Sequence, residues 1–175
     1  MIYDPATYWQ ARYEAQGEPY VARGGRQDSH DAQVEAIVPY FEHLPSSGRV
    51  LDFGCGPGRF RGALEAQGLE YEGVDLVPEL GTMEVGEIEP SSFDCAVAIF
   101  VLQHIVDERR YDAAIRVLHS VLRVGGTLLV VDHELRYGMD EHMRARGPSG
   151  LLPWTWRGYE MLGDHDGHWV GLFTR

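Results

Sequence analysis

Neither lysine nor asparagine occurs anywhere in the 175 residues, so all 15 basic side chains are arginine. The missing lysine excludes Schiff-base chemistry on that residue and a P-loop, whose lysine reaches the phosphates. The missing asparagine excludes every motif built on its amide. Both residue types have A-rich codons, and a GC-rich source genome accounts for the two gaps together. Cysteine is scarce as well. Cys55 and Cys95 are the only two, too few for a disulfide framework, a cysteine-rich zinc site or an iron–sulfur cluster. Long apolar runs are also missing: the longest, 95–102, falls far short of the about 20 residues of a membrane span. The opening Met1-Ile2-Tyr3-Asp4-Pro5 lacks the basic and apolar stretches of a secretory signal. These gaps predict a cytoplasmic protein that does not bind membranes.

What is present is an acidic globular composition. There are 27 acidic against 15 basic residues, a formal charge of -12, with 44% of the chain hydrophobic and 24% charged. Broad nucleic-acid affinity comes from clustered Lys and Arg, so the acidic balance speaks against a nucleic-acid partner. No internal repeat, linker or low-complexity tract interrupts the chain. The length suits one domain over 1–175: a helical segment over 1–45, a core over 49–132, and a closing segment over 133–175.

Periodicity gives the elements. Tyr8, Trp9 and Tyr13 share a helical face over Pro5 to Gln16, with a stop at Gly17. Asp28 or Ser29 caps a second predicted helix running to about His43. From Arg49 the pattern changes to a buried strand (Arg49–Phe53), a glycine-rich turn (Gly54–Gly58), a helix (Arg59–Gln67) and a second strand ending at Asp75. Phe93–Phe100 reads as a central strand, Tyr111–Leu122 as an amphipathic helix, and Thr127–Asp132 as another strand. Strand, glycine turn, helix and strand in succession predict an α/β, three-layer fold around a mostly parallel, doubly wound sheet. Tyr159–Leu162 and Trp169–Thr174 flank a polar Asp-Gly turn, which predicts an antiparallel hairpin closing the sheet.

A strand that runs into glycines and then a helix lets a ligand approach the backbone. A dinucleotide site wants Gly-x-Gly-x-x-Gly, but here the spacing is Gly54-x-Gly56-x-Gly58, with Arg59 at the third glycine's place. The run Val50-Leu51-Asp52-Phe53-Gly54-Cys55-Gly56-Pro57-Gly58-Arg59 resembles the first motif of the class I, Rossmann-like S-adenosylmethionine-dependent methyltransferases. The resemblance continues in order through Tyr71-Glu72-Gly73-Val74-Asp75, Ser92-Phe93-Asp94-Cys95-Ala96-Val97-Ala98 with Val101-Leu102-Gln103-His104-Ile105, and Leu122-Arg123-Val124-Gly125-Gly126-Thr127-Leu128-Leu129-Val130. These motifs span about half of the chain, and together they identify it as a small single-domain member.

The resemblance implies S-adenosyl-L-methionine as cofactor, S-adenosyl-L-homocysteine as its product, and a set of cofactor-binding positions. Backbone at Gly54, Cys55, Gly56 and Gly58 receives the carboxylate side of the methionine moiety, and Asp52 holds its ammonium or orders a water. Asp75, with Leu76 after it, takes the ribose hydroxyls. Ile99 and Phe100 wall the pocket. Tyr13 and Tyr20 contact the cofactor from the N-terminal segment, while Trp9 is expected in the core.

The chain departs from the family between Asp75 and Phe93, where only 17 residues stand and the family commonly has about twice that length. Pro78 breaks any full helix. Thr82–Val85 is expected to make a brief third strand, which places Glu87 and Ile88 as adenine contacts. With no inserted cap domain, the expected acceptor is a small molecule, methylated on O, N or another nucleophile; a protein acceptor or a non-catalytic cofactor-binding module are the alternatives. A nicotinamide-dependent oxidoreductase is a more distant one. The chain is expected to be a monomer or homodimer.

His104 and His133 both fall just past strand ends on the cofactor side, where a general base would sit. No metal site is expected. His133-Glu134 has Tyr137, not a histidine, at the fourth position after His133, and a hairpin turn accounts for the polar run 164–168.

Overall fold

The computed structural model describes residues 4–16, 27–134, 143–151, 156–165 and 168–175. Tyr20 lies outside them. Helices α1 (Pro5–Gln16) and α2 (Gln27–Ile37) precede strand β1 (Gly48–Phe53). Helix α3 (Arg61–Ala66), strands β2 (Leu69–Val74) and β3 (Phe93–Ile99), helix α4 (Glu108–Val121) and strands β4 (Leu122–His133), β5 (Gly158–His165) and β6 (His168–Thr174) follow. The strands form one sheet in the order β2-β1-β3-β4-β6-β5. The first four pair in parallel; β6 runs antiparallel to β4, and β5 antiparallel to β6. This is the α/β, mostly parallel sheet with a closing antiparallel hairpin that the residue pattern predicts.

Alternation along the strands sends side chains to two cores. Leu51, Ala96, Ala98, Leu128 and Val130 pack against Tyr111, Ile115 and Leu118 of α4. Val50, Cys95, Val97, Ile99, Leu129 and Val131 face the other way, onto Ile37, Phe41, Phe60 and Leu64. The Asp107 side chain caps α4 by accepting the Arg110 N–H at 2.9 Å, so the helix starts at Glu108, earlier than its apolar spacing indicates. The second helix is shorter than expected. It tightens into a 3₁₀ segment over Val38–His43, because Pro39 removes a backbone donor and crowds the preceding turn.

The expected third strand at Thr82–Val85 does not form. The segment touches β2 at one residue instead: the Gly73 N–H donates to Thr82 Oγ1 at 2.8 Å, and the Thr82 and Met83 N–H groups both donate to the Gly73 carbonyl. One residue's donor and acceptor are satisfied, and the chain turns away into the 3₁₀ turn Val85–Glu87. Among the described residues β2 is therefore an edge strand.

Candidate active site

The parallel strands end together at Phe53, Val74 and Ile99, and the glycine turn leaves the first of them. The Gly54 and Cys55 N–H groups both donate to the Val74 carbonyl, at 2.8 and 3.1 Å, which fastens the turn to the end of β2. Gly54 is required twice over. Its φ is +73°, and a Cβ there would lie 2.2 Å from Val101 Cγ2 in the β3 exit. The turn continues through Gly56 and Gly58, also at positive φ.

Asp75 stands just past β2. One carboxylate oxygen accepts the Gly56 N–H and the other the Val77 N–H, both at 2.9 Å. A carboxylate has about four acceptor positions, so this clasp leaves capacity for two hydroxyls. Burial raises the Asp75 pKa, and the Val77 and Gly56 amides pull it back down.

A cavity of about 410 Å³ opens beside this pair. Gly54, Asp75 and Leu76 border it on one side, and Phe100, Val101 and His104 on another. Pro5, Ala6 and Trp9 of α1 border it as well, with Ala113, Ala114 and Val117 of α4. Two alanines on α4 leave room where larger side chains would fill the space. Trp9, expected in the core, is half-buried and meets the His104 ring edge-on at 4.9 Å. Asp4 fastens the start of α1 to α4 through an ion pair with Arg110 at 2.9 Å, and that hydrogen bond is the main reason its carboxyl sits near 2.

Several expected contacts are placed elsewhere. Asp52 is 2% exposed and lies outside the cavity lining. It accepts the Tyr71 hydroxyl at 3.0 Å, and burial lifts it to about 7 against the pull of Tyr71 and Arg59. Cys55 is buried, with its thiol donating to the Leu80 carbonyl and pushed up to about 12, which makes it no nucleophile near neutrality. Glu87 is exposed and accepts the Glu84 N–H, while Ile88 packs onto the core on the α4 side. Neither borders the cavity, nor do Tyr13, Ile99, Cys55, Gly56 and Gly58. The amides expected to receive the carboxylate are all engaged within the protein: those of Gly54 and Cys55 by the Val74 carbonyl, that of Gly56 by Asp75 and that of Gly58 by the Cys55 carbonyl.

The two candidate bases differ in setting. His104 borders the cavity; His133 sits at the end of β4, in ring contact with Phe100 and His168. Burial first, then the imidazoles of His168 and His104, lowers His133 to about 4. Buried Gln103 links the pair, its Oε1 accepting the His133 N–H at 3.2 Å and its Nε2 lying 3.4 Å from His104 Nε2. Gln103 is not among the residues that the sequence pattern singles out; its signal there is a polar residue following the apolar run of the strand exit, directly before His104.

A family model described as a methyltransferase domain matches residues 26–166. The chain belongs to that family. A ubiquinone biosynthesis O-methyltransferase of Xylella fastidiosa (strain M23) is 30% identical over 107 residues, covering 49% of this chain and 42% of the relative. The methyltransferase chain thus spans less than half the length of that curated relative. Among solved structures, the magnesium protoporphyrin IX methyltransferase of Synechocystis PCC 6803, with bound S-adenosylmethionine, superposes with a TM-score of 0.68 at 15% identity, covering 99% of this chain and 98% of that one. The Burkholderia thailandensis 1,6-didemethyltoxoflavin-N1-methyltransferase, with bound 1,6-didemethyltoxoflavin and S-adenosylhomocysteine, gives 0.65 at 17%, covering 97% and 86%. Both likenesses are of fold. They agree with the methyltransferase family's Rossmann-like sheet.

Proposed function

We propose that this methyltransferase domain transfers the methyl group of S-adenosylmethionine to an oxygen, nitrogen or other nucleophilic atom of a small molecule, releasing S-adenosylhomocysteine. The observation that carries this reading is the clasp of Asp75 by the glycine turn at the edge of a mostly apolar cavity. The residues present fit the cofactor. Gly54, at positive φ, keeps a side chain off the turn where it borders the cavity, as a close backbone approach by the methionine end requires. Asp75 keeps acceptor capacity for a ribose diol. Leu76, Val77, Ala113 and Val117 supply an apolar slot for a flat base.

S-adenosylmethionine supplies a methyl group on a cationic sulfur, open to in-line displacement. The protein's share is alignment of the two reactants, which accounts for much of the rate in such a transfer. His133, held down to about 4, is neutral at neutral pH and able to accept a proton from an acceptor hydroxyl or amine. The relatives' names, a ubiquinone biosynthesis O-methyltransferase and a 1,6-didemethyltoxoflavin-N1-methyltransferase, support a small organic acceptor.

A thermal-shift titration with S-adenosylmethionine and S-adenosylhomocysteine tests the reading, since a ligand at 100 times its Kd stabilises by about 2.7 kcal/mol. Wild type is expected to shift and Asp75→Ala to lose most of the shift. An unmoved wild type, or an undiminished Asp75→Ala, overturns the proposal. A non-catalytic cofactor-binding module is the second reading. It is favoured by the missing strand outside β2, which leaves Leu76 53% exposed at the cavity's rim. Binding without turnover across a broad acceptor panel would select it.

A further inference from the structure

Three rings from distant parts of the chain meet beside the cavity. His133 on β4 and His168 on β6 are paired across the antiparallel ladder, and their imidazoles lie 4.4 Å apart with planes tilted by 32°. Phe100, at the β3 exit, meets the His168 ring edge-on at 4.7 Å and the His133 ring at 6.3 Å. All three are half-buried, so the cluster is neither sealed core nor open surface.

Phe100 joins this cluster to the cavity, because it borders both. Its backbone is in the left-handed region at φ +57°, a conformation that a bulky non-glycine residue adopts only under constraint. Its N–H donates to the Val131 carbonyl at 2.8 Å, which continues the bonding to β4 by one residue past the end of β3. Strain of this kind gathers where a side chain is held in place for a ligand.

We infer that His168, with His133 and Phe100, forms a ring-lined wall against which the methyl acceptor stacks, so that the acceptor is a flat, conjugated ring compound. The inference rests on the methyl-transfer reading of the adjoining cavity and narrows its acceptor class. A planar ring gains offset-stacked and edge-to-face contacts with such a wall beyond the burial of its area, whereas a saturated ring of the same size gains the area alone. His133 is neutral near pH 7, since burial and the neighbouring imidazoles hold it down to about 4. It therefore stacks as an uncharged heterocycle whose nitrogens can still meet a ring hydroxyl or ring nitrogen.

The experiment uses the full chain saturated with S-adenosylhomocysteine, with 2-naphthol and its saturated counterpart decahydro-2-naphthol as probes. Affinity is read by titration, and contact by the carbon-bound proton signals of the histidine rings. The expected result is that 2-naphthol shifts the His133 and His168 signals and binds more tightly than the saturated alcohol. His168→Ala is expected to weaken 2-naphthol by up to about tenfold, the scale of one lost ring contact. His168→Phe, which keeps a ring on β6, should retain the affinity, and both variants should keep the thermal shift with S-adenosylhomocysteine. Equal binding of the two alcohols, or undiminished 2-naphthol affinity in a His168→Ala that still responds to S-adenosylhomocysteine, overturns the ring wall alone. A wild type that ignores S-adenosylhomocysteine overturns the methyl-transfer reading, and this inference falls with it.

Discussion

The Gly56 amide and the Asp75 carboxylate are joined by a hydrogen bond of 2.9 Å, and the Val77 amide holds the other carboxylate oxygen at the same distance. The glycine turn after β1 and the acid after β2 thus form one rigid unit. Asp75 enters ligand binding already oriented, with no side-chain freedom left to lose.

Asp75→Asn breaks that unit asymmetrically. One carboxamide oxygen can replace one acceptor, but the amide nitrogen then faces a backbone N–H. Leaving such a donor unmet costs about 1–3 kcal/mol, so a lower urea midpoint is expected together with at least about tenfold weaker S-adenosylhomocysteine binding, which would be about 1.4 kcal/mol. Urea unfolding and a thermal-shift titration measure the two effects separately.

Gly54→Ala puts a methyl group 2.2 Å from Val101 Cγ2 at a φ of +73°. Left-handed strain of about 1–2 kcal/mol adds to overpacking of about 1–3 kcal/mol. Val101→Ala in the same chain removes the Cγ2 clash but keeps Val101 Cβ at 2.7 Å, so it should recover part of the overpacking and leave the rest with the backbone part. The double variant is expected to fall between Gly54→Ala and wild type in urea; no recovery would place the cost outside the Cγ2 clash.

Asp52 and His133 bend the pH profile of stability in opposite senses. Burial raises Asp52 from 3.8 to about 7, so the folded chain binds its proton more tightly than the unfolded chain, and this contribution falls as pH rises from about 4 to about 7. His133 is lowered from 6.5 to about 4, so its contribution is lost as pH falls through the same window. Asp52→Asn should therefore gain on wild type toward pH 7 by a few kcal/mol at most, on the order of the shift at about 1.4 kcal/mol per pH unit. His133→Gln should gain toward pH 4. Urea midpoints across that range check both signs, and profiles parallel to wild type would contradict them.

Trp9→Ala opens the α1 side of the cavity while leaving both sheet cores intact, since Trp9 belongs to neither. S-adenosylhomocysteine binding should weaken by about tenfold, the affinity scale of losing an aromatic contact of about 1.4 kcal/mol, with little change in the urea midpoint of the free protein. An unchanged affinity would remove α1 from the binding site.

Local signals were legible where the physics is local. Alternating and continuous apolar runs marked five of the strands to within a few residues, and the spacing of Gly54, Gly56 and Gly58 marked the turn that needs positive φ. Asp75 was legible as the residue closing β2. The α4 start was readable too, in the cap residue Asp107, but the apolar spacing drew attention to Tyr111 instead. Thr82–Val85 has strand-like composition, yet a hydroxyl at Thr82 satisfies Gly73 and ends the pairing after one residue. Composition does not show which partner a backbone donor will find.

The sequence by itself determined the α/β pattern, the glycine turn and the acid that follows the second strand, because backbone conformation and strand alternation are set over a few residues. Tertiary structure decided which way those residues face and what they meet. It turned Asp52 toward Tyr71 and away from the cavity, brought Trp9 to His104, and set Phe100, His133 and His168 ring to ring across 68 positions of chain. The Asp52–Tyr71 contact and the three-ring cluster depend on strand register and on the order β2-β1-β3-β4-β6. Register follows from burying both faces of the sheet at once, a condition that no short stretch of sequence contains.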